Sequence, residues 1–110
     1  MDTTLNYNDL LEQLLLQYAQ PTQNSTVEQQ IVIDKKHGHF QLLSLGWENN
    51  KRIYYTLLHV DLKNSKFWVQ QDYTQPSITE QLLEAGVPKS DIVLGFQLPQ
   101  ARELTDFAVS

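Results

Sequence analysis

"HFQLLSLGWENNKRIYYTLLHVDLKNSKFWVQQD", residues 39–72, decides the fold. Three runs of β-branched and aromatic residues are broken by "NN" at 49–50 and "NS" at 64–65. Asn tolerates the positive φ that a two-residue hairpin loop demands. A further break, "HG" at 37–38, precedes the first run. The pattern predicts four strands in an antiparallel meander, near residues 27–36, 39–48, 51–62 and 66–72.

Two-residue loops fix the register, so the pairing can be written down. Across "NS", Leu62 opposes Phe67, Val60 opposes Val69, Asp61 opposes Trp68 and His59 opposes Gln70. Across "NN", Glu48 meets Lys51 as an opposite-charge pair, and Trp47 meets Arg52 in cation–π range. Across "HG", Val32 opposes Leu43 and Ile33 opposes Leu42. One face then carries Val32, Leu43, Leu45, Tyr54, Leu58, Val60, Leu62, Phe67 and Val69. The other carries Ile31, Ile33, Phe40, Leu42, Ile53, Tyr55, Leu57 and Trp68, with His59, Asp61, Gln70 and Asp72 grouped at one side. Both faces are largely apolar, whereas a one-sided antiparallel sheet alternates more cleanly. Either the helices divide between the faces, or a second chain covers one of them.

Helices flank the meander. "LNYNDLLEQLLLQYAQ" (5–20) places Tyr7, Leu10, Leu11, Leu14 and Tyr18 at spacings of three and four, which is an amphipathic helix. Pro21 ends it, and "TQNST" (22–26) is a polar connector. In "PSITEQLLEAGVP" (76–88), Ser77 and Glu80 form a capping box, Gly86 stands at the left-handed C-terminal cap, and Pro88 stops the helix. "PKSDIVLGF" (88–96) reads as one helical turn followed by an extended run. "PQARELTDFAVS" (99–110) is a C-terminal extended tail whose Arg102, Thr105, Asp106 and Phe107 are unusually specific for a frayed end. The expectation is an α+β fold spanning residues 1–110 as a single domain.

Composition narrows the function classes. The chain has 110 residues, 41% apolar and 19% charged, with a net charge of −5 and no cysteine. The charge repels phosphate backbones, and the basic residues are scattered, "KK" at 35–36 being their longest run, so neither direct nucleic-acid binding nor a membrane-surface patch is expected. The lack of cysteine removes disulfides, thiol nucleophiles and cysteine-based zinc sites, and fits a cytoplasmic protein. No run approaches a membrane span, and "MDTTLNYNDLL" is no signal peptide.

The candidate chemistry is sparse. His59 and Asp61 share a strand face near Gln70 and Asp72, an acid–base pair without a visible nucleophile or metal beside it. The residues favour a hydrogen-bonded polar patch. His37 and His39 flank Gly38 at a hairpin tip with Asp34 nearby, and the expectation there is an exposed turn, not a metal site. There is no Gly-x-Ser-x-Gly elbow, phosphate-binding loop or dinucleotide fingerprint. Tyr54, Tyr55, Trp68 and Tyr73 suit a core and a protein interface better than base stacking. No cofactor or small-molecule ligand is expected.

"FQLLSLGW" (40–47), "HVDLKNSKFWVQQD" (59–72), "LLEAGVPKSDIVLGF" (82–96) and a tail with Arg102, Thr105, Phe107 and Ala108 form a series. This series resembles the XisI family, known from cyanobacteria as controlling factors for excision of the fdxN element. "AGVPKSDIVLGF" is its most specific stretch, and the likeness runs over nearly the whole chain. The family usually has Asp-Gly where this chain has Asn64-Ser65, and Gly and Glu where it has Tyr73 and Gln75. Chemistry centred on an acid at position 75 is therefore not expected. The resemblance implies a non-enzymatic accessory protein working with a XisH-like, nuclease-like protein partner in programmed DNA rearrangement. The partner-binding residues expected are Tyr55, Leu57, His59, Asp61, Trp68, Asp72 and Arg102. Three readings stand beside it: a homodimer, a small acid–base enzyme using His59 and Asp61, and the neutralising half of a toxin–antitoxin-like pair.

Overall fold

The computed structural model describes residues 6–19 and 26–110. The reading of Pro21 as a helix stop, and most of the 22–26 connector, lie outside them. The elements in order are α1 (Tyr7–Tyr18), β1 (Val27–Asp34), β2 (His39–Glu48), β3 (Lys51–Lys63), β4 (Lys66–Asp72), α2 (Ile78–Glu84), a 3-10 turn (Lys89–Asp91), β5 (Ile92–Leu94) and α3 (Pro99–Arg102). The class is α+β, as the sequence predicts. Among the described residues the sheet has one strand more than the meander, because β5 adds to the edge, parallel to β4.

The two asparagine-led hairpins form as read. Asn49, Asn50, Asn64 and Ser65 all have positive φ, the type I′ geometry that matches strand twist. Glu48 pairs with Lys51 and Trp47 with Arg52, whose guanidinium carbon lies 5.6 Å from the indole centre.

The "HG" hairpin is corrected. Asp34 pairs with His39 and Ile33 with Phe40, so the loop spans residues 35–38 and the β1 register differs by two. Asp34 causes this. Its carboxylate accepts the His37 N–H at 3.1 Å, and its carbonyl accepts the Gly38 N–H at 2.8 Å, closing a wider turn. Gly38 sits at φ +75°, and a Cβ there would lie 2.3 Å from the Leu62 carbonyl oxygen. A shift of two leaves the β1 side chains on their expected faces relative to β2.

A bulge at Leu57 has larger consequences. Leu42 pairs with Leu58 but Leu43 with Thr56, leaving Leu57 as the extra residue. One extra residue reverses the alternation beyond it. Phe40 and Leu42 therefore share a face with Leu58 and Val60, not the opposite face as the uninterrupted register has it. A second bulge lies opposite: Val60 pairs with Val69, but His59 pairs with Gln71, not Gln70.

The bulges gather the apolar side chains. Phe40, Leu42, Leu58, Val60, Phe67 and Val69 are fully buried under Leu11 and Leu15 of α1 and Ile78 and Leu82 of α2. Both helices thus pack on one face of the sheet. Removing a fully buried leucine side chain from water contributes about 1.5–3 kcal/mol. Tyr7 donates to Asp91 at 2.6 Å and Tyr18 to the Pro76 carbonyl at 2.6 Å, tying both ends of α1 across the fold.

The caps of α2 match their sequence signals, and α1 has an N-cap that the sequence reading did not name. Asn6 accepts from the Asp9 N–H at one N-terminus and Ser77 from the Glu80 N–H at the other. At the end of α2, Gly86 at φ +97° lets Val87 donate to Leu82 and Gly86 to Leu83, a Schellman closure.

Candidate functional site

The face of the sheet turned away from α1 and α2 is the outer face. On β2 and β3 it presents His39, Gln41, Leu43, Leu45 and Trp47 beside Tyr54, Thr56, His59 and Asp61. Val32 of β1 joins them. Trp47 and Tyr54 are 57% and 65% exposed, and Val32 is also exposed. Arg52 lies 5.8 Å from the Tyr54 ring centre and holds both aromatics in one basic-aromatic group.

At the other end, His39, His59 and Asp61 meet. His39 is directly opposite Asp61 across the ladder, and His59 is two residues earlier on the same face. His39 Nδ1 and His59 Nε2 each lie 2.9 Å from the same Asp61 oxygen, Oδ1. Gln70, the extra residue of the second bulge, donates to Asp61 Oδ2 at 3.3 Å. Burial pushes the Asp61 carboxyl up, but hydrogen bonds from His39, His59 and Gln70 and the charge of His59 outweigh it and leave the pKa below the ordinary value. Asp34, also held low by its hydrogen bonds from His37, lines the same open depression with Val32, Gln41 and the triad.

The sequence-predicted residues separate into groups. His59 and Asp61 stand in the triad, and Trp68 is opposite Asp61 on the outer face. Lys63 and Arg102 both lie over the Trp68 ring, at 4.6 and 5.4 Å from its centre. Arg102 also donates to the carbonyls of Leu94, Gly95 and Val109, and so fastens the tail to the end of β5. The tail beyond it is pinned by the Ala108 N–H bond to Ile92. Tyr55 is opposite Ser44 and therefore projects on the helix-bearing face, where it is partly exposed. Leu57 leans on the core. Asp72 is turned to the start of α2, where Oδ2 accepts the Ile78 N–H at 2.9 Å and Oδ1 accepts both the Thr74 N–H and its hydroxyl.

His39 is the residue that sequence reading left out of the group. Unbroken pairing from the "NN" turn sets His39 opposite Val60; the bulge at Leu57 sets it opposite Asp61. Thr56, Leu57 and Leu58, where the shift occurs, carry no signal for it.

The family description "XisI protein" matches residues 1–109. The chain is similar to a XisI-like protein from Anabaena variabilis, with 39% identity over 94% of this chain and 96% of that one, at a TM-score of 0.86. It is also similar to the fdxN element excision controlling factor XisI from Anabaena variabilis, with 31% identity, the same coverage of both chains and a TM-score of 0.80. Curated protein sequences give no match. With the family pattern spanning almost every residue and the fold superposing on two solved relatives, this chain belongs to the XisI family.

Proposed function

We propose that the chain is a non-enzymatic regulatory protein of the cytoplasm that controls excision of a DNA element by docking a XisH-like protein partner on its outer sheet face. The observation that carries this reading is Val32, Trp47 and Tyr54 exposed together on a face that α1 and α2 leave open. Exposed Trp and Tyr beside an Arg have the composition of an interface centre. The controlling role comes from the name of the relative. The net charge of −5, which repels phosphate backbones, supports leaving contact with DNA to the partner.

The acid–base reading finds less support. The depression around His59 and Asp61 is open, whereas an acid–base site is an enclosed pocket that excludes water from the reacting groups. No described helix is long and apolar enough to cross a membrane.

Size-exclusion chromatography with light scattering, run with and without a purified XisH-like protein, tests the proposal. A stable hetero-complex is expected. A homodimer that excludes the XisH-like protein, or a monomer that ignores it, would overturn the reading.

A further inference from the structure

We infer that His39 Nδ1, His59 Nε2 and a carboxylate oxygen of Asp61 form a binding site for a late first-row divalent cation, with Zn2+ as the fitting probe. The three coordinating atoms lie within 4.8 Å of one another. Tetrahedral zinc with ligand bonds of about 2.0–2.2 Å holds its donors roughly 3.3 Å apart. The two imidazole nitrogens already stand 2.9 Å from Asp61 Oδ1, so a small opening of the group admits the ion.

Convergence distinguishes this group from an ordinary polar patch. Asp61 has two oxygens, yet both imidazoles aim at the same one, while Gln70 takes the other. Two ring nitrogens and one oxygen therefore stand within 4.8 Å of one another, close enough to share one ion once the nitrogens turn from the oxygen to it. The Gln70 amide is a supporting contact that orients the carboxylate, as such partners do around bound metals. Each imidazole binds neutral, with its proton carried on the other ring nitrogen: Nε2 of His39 and Nδ1 of His59. Ionised Asp61 supplies one negative charge, and ionised Asp34 lines the same depression.

Ligand chemistry sets the class of cation. Two imidazoles and one carboxylate suit zinc, copper, nickel or ferrous iron, whereas calcium and magnesium require oxygen-rich sites. Two bulges on adjacent strands build the group, and bulges re-aim side chains at sites of this kind. The side opposite the sheet is open, so a water or a side chain from a docked protein completes the coordination. The inference stands on the triad alone and does not depend on the proposed partner.

Isothermal titration of the untagged, chelator-treated full chain with Zn2+ at neutral pH provides the test, with Co2+ absorption as a second readout of coordination geometry. One ion per chain is expected, with a dissociation constant below about 10 µM. His39 is half exposed, so His39→Ala keeps the fold and weakens binding by at least about tenfold. The control is His37→Ala, which alters the neighbouring Asp34–His37 pair and changes the affinity by less than about twofold. Binding weaker than about 1 mM, affinity unchanged by His39→Ala, or an equal loss from His37→Ala would each overturn the assignment.

Discussion

Asp72→Ala tests how the helix-bearing face is assembled. Asp72 ends β4, and its carboxylate accepts the Ile78 N–H at 2.9 Å, the Thr74 N–H at 2.8 Å and the Thr74 hydroxyl. Ile78 is fully buried and opens α2, and Thr74 is nearly so. Truncation leaves two backbone donors and one hydroxyl to find other partners. A hydrogen bond to a charged group contributes about 1.5–3 kcal/mol, and each buried donor left unmade costs about 1–3 kcal/mol. Asp72 itself is half-buried, so water replaces part of the loss. The expected total is about 2–4 kcal/mol, which lowers the melting temperature by roughly 8–15 °C in a chain of this size. Asp72→Asn keeps one acceptor for Thr74 but turns an amide N–H towards the Ile78 donor, and costs about 1–2 kcal/mol. Urea unfolding followed by tryptophan fluorescence measures both. If Asp72→Ala lies within about 0.5 kcal/mol of wild type, the carboxylate does not organise this connection and the reasoning is refuted.

Three further outcomes follow from the same geometry. Ser65 holds φ +61° in the β3–β4 turn, where glycine has no Cβ penalty, so Ser65→Gly raises stability by about 0.5–1 kcal/mol in the same unfolding assay; a decrease would contradict the turn assignment. Burial and the Asp91 carboxylate push the Tyr7 hydroxyl up to about 12 from an unfolded value of 10.0, so its contribution to stability is complete below pH 10 and is lost as the pH rises towards 12. Tyr7→Phe removes that part of the alkaline loss, read from melting temperatures across the range, while Tyr18, also raised chiefly by burial, retains its own. Arg102→Ala frees three carbonyls and uncovers Trp68, which costs about 1–2 kcal/mol and speeds amide exchange at Ala108; an unchanged exchange rate there would show that the tail is held by something else.

Local chemistry was readable in the sequence, and its long-range consequences were not. Asn49-Asn50 and Asn64-Ser65 announce type I′ turns because few residues accept positive φ, and the strand ends beside them fall within one residue of expectation. Ser77 and Gly86 mark the ends of α2 for equally local reasons. The four-residue turn before β2 had a signal in Asp34, which accepts backbone donors three and four residues ahead, but "HG" was the louder one. Bulges have no comparable local mark. Leu57 and Gln70 are ordinary strand residues, and their displacement gathers Phe40, Leu42, Leu58 and Val60 under the helices. The expected pair of His59 and Asp61 was therefore visible, whereas the third member, His39, depended on a register shift eighteen residues away in the chain. The three-residue β5 is likewise defined by its neighbours, β4 and Ala108, more than by "IVL" itself.

The open outer face is the docking surface on which the proposed function depends. Its most direct measurement is the affinity of the chain for a purified XisH-like protein, by isothermal titration, for wild type and for a Trp47→Ala/Tyr54→Ala double variant whose fold is checked by circular dichroism. Both side chains are more than half exposed and contribute little to the core. Saturable binding by the wild type, weakened about 30-fold or more in the double variant, is the predicted result. Binding that survives the two substitutions unchanged, or none at all with the wild type, would contradict it.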